Sequence, residues 1–299
     1  MLYVEPDFYK DFKCAADKCA HSCCCGWEID IDPDTAELYM SLEGEQGQRL
    51  RERISFKPQA HFILDGEERC PFLDSRGLCT LITELGEAAL CDICREHPRF
   101  YNCRPEREER GLGLCCEVAA ELLLAGEGPL RLAAYGAAEK SPEEPFRLRD
   151  EILDMLAREG ESLPVKMKAA AGRMGLEPEL PGLTFWVDLY LGLEQMEDDW
   201  GRRLQRLRAN GEPDDVLRAI DRPRYERIAE YFIFRYFAAA ETEKQRQESL
   251  IFAFLSAAMV SALDSALGES AENLRLYSAE IEYSDENIDR IYHEIGRYI

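Results

Sequence analysis

The sequence predicts a mainly α protein: an irregular, Cys-rich metal-binding N-terminal region with short strands, followed by a helical bundle. Three observations predict it. All twelve cysteines lie between Cys14 and Cys116. From Glu117 onward, apolar residues recur at helical spacing. Before it, short alternating runs are broken by Gly, Pro and Asp. The domains are therefore placed at 1–116, a metal or iron–sulfur region, and 117–299, a helical body.

Taken in order, Trp27–Ile31 alternates apolar and acidic residues as a short strand does. Asp32 and Pro33 then read as the cap and first turn of a helix to Met40. Phe62-Ile63-Leu64 followed by Asp65-Gly66 is a strand and turn, and Leu73–Leu78 suggests another tight turn. Glu84–Glu96 reads as a helix ended by the His97-Pro98 step. The body opens with Val118 and Leu122–Leu124 on a helix that Gly126 and Gly128 close. Ser141-Pro142-Glu143-Glu144 is a helix-start signature, and Phe146–Glu159 follows it. Phe185–Leu207 carries Phe185, Val187, Leu189, Leu193 and Met196 on an apolar side. Tyr225–Ala240 is apolar nearly all round and hence deeply buried, with Leu250–Leu267 as its partner. Asp285–Tyr298 closes the chain.

Hydrophobic residues make up 46% and charged residues 32%, a soluble globular composition. Acidic residues number 59 and basic ones 36, a formal charge of −23. Such a surface repels nucleic acid and anionic membranes, and attracts a lysine-rich protein. The longest apolar stretch, Leu250–Leu263, is shorter than the ~18–20 residues of a membrane span and reads as a buried helix. Met1–Pro6 shows no basic or apolar export signature, so a cytoplasmic location is expected. Thiols stay reduced there, which ranks metal binding above disulfides.

The cysteines fall into clusters: Cys14-x4-Cys19-x3-Cys23-Cys24-Cys25, then Cys70 and Cys79, then Cys91-x2-Cys94, Cys103 and Cys115-Cys116. Only Cys91-x2-Cys94 is a CxxC pair, and the four histidines form no metal-binding pair. The excess of thiols favours an iron–sulfur cluster, with zinc as the alternative. Twelve thiols exceed one four-ligand site, so either two sites exist or some thiols are buried filler. Gly111-Leu112-Gly113-Leu114 is too short for a phosphate cradle, and no other nucleotide-binding motif is present. Arg95 and Arg99 flank the metal segment and are the candidates for holding a cofactor carboxylate, or are ordinary ion-pair partners. His97 reads as a helix-end residue in preference to a catalytic base, and Glu117 as a helix-start residue.

Three segments carry a resemblance. They are Phe12-x-Cys14-x4-Cys19-x3-Cys23-Cys24-x-Gly26-Trp27-x-Ile29, then Cys70-Pro71-Phe72-Leu73-Asp74-x2-Gly77-Leu78-Cys79 with Cys94-Arg95-x-His97-Pro98-Arg99, and Leu276-Tyr277-Ser278-x-Glu280-Ile281-Glu282-x-Ser284-x-Glu286-Asn287. Together they resemble the flagellin lysine-N-methylase (FliB-like) family. The aromatic segment Tyr231–Phe237 fits that family's helical body. The resemblance implies transfer of a methyl group from S-adenosylmethionine to lysine ε-amines of flagellin, and a [4Fe-4S] cluster. It implies Cys14, Cys19, Cys23, Cys24, Cys70, Cys79, Cys94 and Cys115 as family-type metal ligands. Cys25, Cys91, Cys103 and Cys116 look like additions of this chain. His97 replaces the family's usual tyrosine or phenylalanine, and Cys116 replaces an expected proline. Tyr277, Glu280 and Glu282 are catalytic candidates by their place in the C-terminal signature. The rival reading is a non-enzymatic cysteine-cluster protein that binds metal and docks a basic partner.

Overall fold

The computed structural model describes residues 1–137, 143–210 and 223–299. The chain divides into two compact units. One comprises Lys13–Phe100 with Cys116–Val118. The other comprises Met1–Phe12, Tyr101–Cys115 and Ala119–Ile299. The first twelve residues and 101–115 therefore group with the helical body, because they form its sheet.

In the Lys13–Phe100 unit, Asp32 caps the helix Pro33–Ser41, its carboxylate accepting the Thr35 N–H at 2.9 Å, as the sequence predicts. Trp27–Ile31 is not a continuous strand. It pairs instead as a single bridge, Asp30 with His61, flanked by hydrogen bonds from Phe62 N–H to Ile29 O and from Ile31 N–H to Ala60 O. The strand His61–Phe62 pairs antiparallel with Ile54–Ser55. Glu84–Glu96 is not one helix. Gly86, at φ +88°, ends Thr80–Leu85, a short 3-10 turn follows, and Asp92–Glu96 restarts after Cys91. His97 closes that last helix, donating its N–H to Ile93 O. Ile29, Ile31, Tyr39, Phe62 and Phe72 form the core of this unit.

A four-stranded sheet, in the helical unit apart from Arg99 and Phe100, has the order Arg99–Arg104, Arg107–Leu112, Leu2–Pro6, Leu132–Gly136. Leu2–Pro6 runs parallel to Arg107–Leu112 and antiparallel to Leu132–Gly136. None of these strands is visible as an alternating pattern. Arg107–Leu112 instead buries Glu109 between Arg107 and Arg149, at 2.7 Å to each. Arg149 comes from the helix Glu144–Leu156 and lies over the Phe234 ring at 5.4 Å. Ser141 and Pro142, the predicted start of that helix, lie outside the described residues.

Glu243–Leu267 is the central helix. It opens on a capping box between Thr242 and Gln245. It is long and apolar enough to cross a membrane, yet 83% of its apolar window is buried within the fold. Residues Glu248 to Asp264 are buried on every side, and Ser256 satisfies its hydroxyl by donating to Phe252 O at 2.7 Å. Its partner Pro223–Phe232 runs on as a π-helical turn, Ile233–Phe237. The predicted Phe185–Leu207 helix is two, Leu183–Leu191 and Asp198–Asn210. The break is held by Glu280, whose carboxylate accepts the N–H groups of Met196 and Glu197 at 2.9 and 2.6 Å. Ala271–Glu282 and Asp285–Ile295 complete the body.

Candidate metal centre

Five thiols of the Lys13–Phe100 unit converge on its core, with Cys25 next in the chain to one of them. Gly26, at φ +85°, lets the chain turn after Cys24–Cys25. Cys70 N–H then donates to Cys24 O at 2.8 Å, and Cys25 bridges Arg69. The Asp74 carboxylate accepts the N–H groups of Arg76 and Leu78 at 2.8 and 2.9 Å, closing the turn that returns Cys79 beside Leu73. Asp32 accepts the Asp92 N–H at 2.9 Å, which fixes the Cys91–Cys94 turn. Cys70 and Cys91 are buried in the core, and Cys24, Cys79 and Cys94 pack against it.

The thiols sense one another. Burial pushes Cys70 up to about 11, and Cys79, Cys25 and Cys91 add to the rise. The Cys91 and Cys94 thiols hydrogen-bond. That bond holds Cys91 below the ordinary thiol value and, with burial, Cys94 far above it. Thiols that resist ionising together need a cation to hold them as thiolates.

A second group gathers Cys14, Cys19, Cys23 and Cys116. Glu117 accepts the N–H groups of Ala20 and His21 at 2.9 and 3.2 Å, and so pins the Cys19 loop. Burial pushes Cys19 up to about 11, followed by Glu117, Cys116, Cys14 and Cys23. Cys23 is pushed up to about 12, first by its hydrogen bond with Cys24, then by burial; the His97 side chain, hydrogen-bonded to it, works in the other direction. The Cys23–Cys24 contact joins the two groups.

Among the described residues no three thiol sulfurs lie within 4.8 Å of one another. A single tetrahedral zinc, with Zn–S of ~2.3 Å, would hold its sulfurs ~3.8 Å apart. Of the expected ligands, Cys24, Cys70, Cys79 and Cys94 fall in the first group, and Cys14, Cys19 and Cys23 in the second. Cys115 belongs to the helical unit. Cys25, Cys91 and Cys116 join the groups although the resemblance does not carry them, whereas Cys103 is exposed.

Arg95 is engaged by Asp92, Glu96 and the Leu90 carbonyl, and Arg99 is half-buried with its own partners. In the helical unit, Tyr277 is fully buried and shares hydrogen bonds with Tyr190 and Ser256, each at 2.9 Å. Glu280 is the acceptor described above, its carboxyl pushed up to about 7 by burial. Glu282 lies apart from these two hydrogen-bonding sets. Its Oε2 accepts from Tyr236 at 3.0 Å and pairs with Arg235 at 3.2 Å, while the buried Oε1 has no partner. Arg235 also donates to the Tyr231 hydroxyl at 2.8 Å. Its guanidinium lies 5.7 Å from the Tyr283 ring, and Tyr283 hydrogen-bonds Cys115. Burial, then Cys115, raises Tyr283 above the ordinary phenol value.

Over 128 residues, 40% of this chain, the sequence is 28% identical to the flagellar biosynthetic protein FliU of Salmonella muenchen, covering 76% of that protein. It is 28% identical over 128 residues to the Lysine-N-methylase of Salmonella choleraesuis and to that of Salmonella typhimurium. Over that stretch the chain is similar to these lysine-N-methylases. The aligned stretch spans 32% of the length of each of those two methylases. No family model and no solved structure matches the chain.

The sequence motifs name the thiols and Glu282, but give no sign that Glu282 pairs with Arg235. The aromatic segment Tyr231–Phe237 reads as core, and it is mostly core. The one cue to its second role is the charged Arg235 within an otherwise apolar run, which demands a buried partner.

Proposed function

We propose that the chain methylates lysine ε-amines of flagellin or a similar lysine-rich protein, using S-adenosylmethionine, in the cytoplasm. The relationship to the two lysine-N-methylases carries this reading. The −23 formal charge supports it, since an acidic surface gathers a lysine-rich substrate.

Lysine attacks a sulfonium methyl only as the free amine, and its reference pKa is ~10.4. A proton must therefore leave the ammonium before or during transfer. Among the signature residues, Glu282 alone keeps a buried carboxylate oxygen without a hydrogen-bond partner. In the proposed mechanism Oε1 accepts the ammonium proton, while Arg235 and Tyr236 hold Oε2 and fix the carboxylate. Tyr277 and Glu280, whose hydrogen bonds are to neighbouring protein groups, brace the helix that carries Glu282.

The first thiol group is proposed to hold a [4Fe-4S] cluster, with Cys24, Cys70, Cys79 and Cys94 as donors and Cys25 and Cys91 alongside. A bound cluster supplies a covalent cross-link among stretches that are distant in sequence. The test is a methyl-transfer assay with labelled S-adenosylmethionine on flagellin, using protein purified without oxygen. Label on lysine supports the reading. Metal retention with no binding of S-adenosylmethionine overturns it in favour of a non-enzymatic metal-binding protein.

A further inference from the structure

Glu28, Asp30 and His61 present one oxygen, one oxygen and one nitrogen, all within 4.8 Å of one another. The backbone puts them there. Phe62 N–H donates to Ile29 O and Ile31 N–H to Ala60 O, so Asp30 and His61 face each other as a non-hydrogen-bonded antiparallel pair. In such pairs the side chains stand closest, with Cα atoms ~4.5 Å apart. Glu28 lies two residues before Asp30 and shares its face, while Ile29 and Ile31 turn into the core at 2% exposure each.

The imidazole is oriented for a cation. His61 Nδ1 lies 3.0 Å from Gln59 O. A carbonyl cannot donate, so Nδ1 carries the hydrogen, and in the neutral ring Nε2 is the nitrogen with the lone pair. That Nε2 lies 3.5 Å from Glu28 Oε2. A backbone carbonyl on the other ring nitrogen is the usual support of a metal-ligating histidine. Among the described residues neither carboxylate pairs with a lysine or arginine; the basic group beside them is the His61 imidazole.

We infer that Glu28, Asp30 and His61 form a second metal site, separate from the thiols, for a divalent cation that accepts both oxygen and imidazole ligands. Manganese(II), iron(II) and zinc(II) are of this class. Three protein ligands leave coordination positions open for water or an incoming carboxylate. The site needs neither the thiol centre nor methyl transfer, so it stands or falls independently of the proposed function.

Manganese(II) is the probe, because hard oxygen ligands favour it over thiolates. The intact chain, with its thiol centre as purified, is titrated while free manganese is followed by electron paramagnetic resonance. The expected result is one saturable site per chain. Glu28→Gln, at an exposed side chain, and Asp30→Asn each weaken it at least about tenfold, with an unchanged circular dichroism spectrum. Zinc(II) competes for the same site. No saturable manganese binding, or equal affinity in the wild type and both variants, overturns the assignment.

Discussion

Glu230 accepts the Leu130 N–H at 2.6 Å through Oε2 and buries Oε1 without a partner. Burial pushes its carboxyl up to about 8. The folded state therefore binds a proton that the unfolded chain, with a carboxyl near ~4.3, has already lost. The stability this gives is complete below the unfolded value and is lost as pH rises through ~8. Chemical denaturation at pH 5 and pH 8 should show wild type weaker at pH 8. Glu230→Gln should flatten that difference, and an equal difference in both proteins contradicts it. Glu280 acts likewise over a lower window, up to about 7. Its two backbone donors make Glu280→Ala costly by ~1–3 kcal/mol, measurable as a lower unfolding midpoint. Glu282→Gln should keep the fold and lose methyl transfer by at least about a hundredfold; full turnover in that variant excludes Glu282 as the proton acceptor. At this scale the sequence named the three signature residues without ranking them. Their hydrogen-bond partners separate them, and those partners come from helices far apart in the chain.

The central helix depends on its first turn, where Thr242 Oγ1 accepts the Gln245 N–H at 3.2 Å and Gln245 Oε1 accepts the Thr242 N–H at 3.0 Å. Thr242→Ala should cost ~1 kcal/mol by thermal unfolding. Gly126 is needed for a different reason: a Cβ there would stand 2.3 Å from the Arg227 guanidinium. Arg227 is buried and holds Leu123 O at 3.0 Å and Asp7 at 3.0 Å. Gly126→Ala should lower the melting temperature by several degrees, and an unchanged melt would mean that Arg227 moves aside at no cost. Long apolar helices were legible because burial on every side leaves few polar interruptions. Asp32 as a cap was legible because capping is local. The sheet was not. Its partners join residues 2–6, 107–112 and 132–136, and its most buried positions in Arg107–Leu112 include Arg107 and Glu109, satisfied by a distant arginine. The breaks at Gly86 and before Asp198 were also hidden, the second because Glu280 supplies the acceptors from far down the chain.

Across the whole molecule, the cysteine distribution divides the chain chemically more cleanly than structurally. Ten of the twelve cysteines lie in the Lys13–Phe100 unit and its Cys116–Val118 segment, while Cys103 and Cys115 belong to the helical unit. The sequence could show that thiols cluster along the chain. It could not show that they form two groups, nor that Cys25, Cys91 and Cys116 belong to them, since turn geometry at Gly26, Asp74 and Asp32 decides which sulfurs meet. The central claim is that the first group holds an iron–sulfur core. It is tested most directly by iron, zinc and acid-labile sulfide content of the chain purified without oxygen, alongside Cys94→Ser. Iron and sulfide in equal amounts, both sharply reduced in the variant, are predicted. Zinc without sulfide in the wild type, or iron and sulfide unaffected by Cys94→Ser, would contradict it.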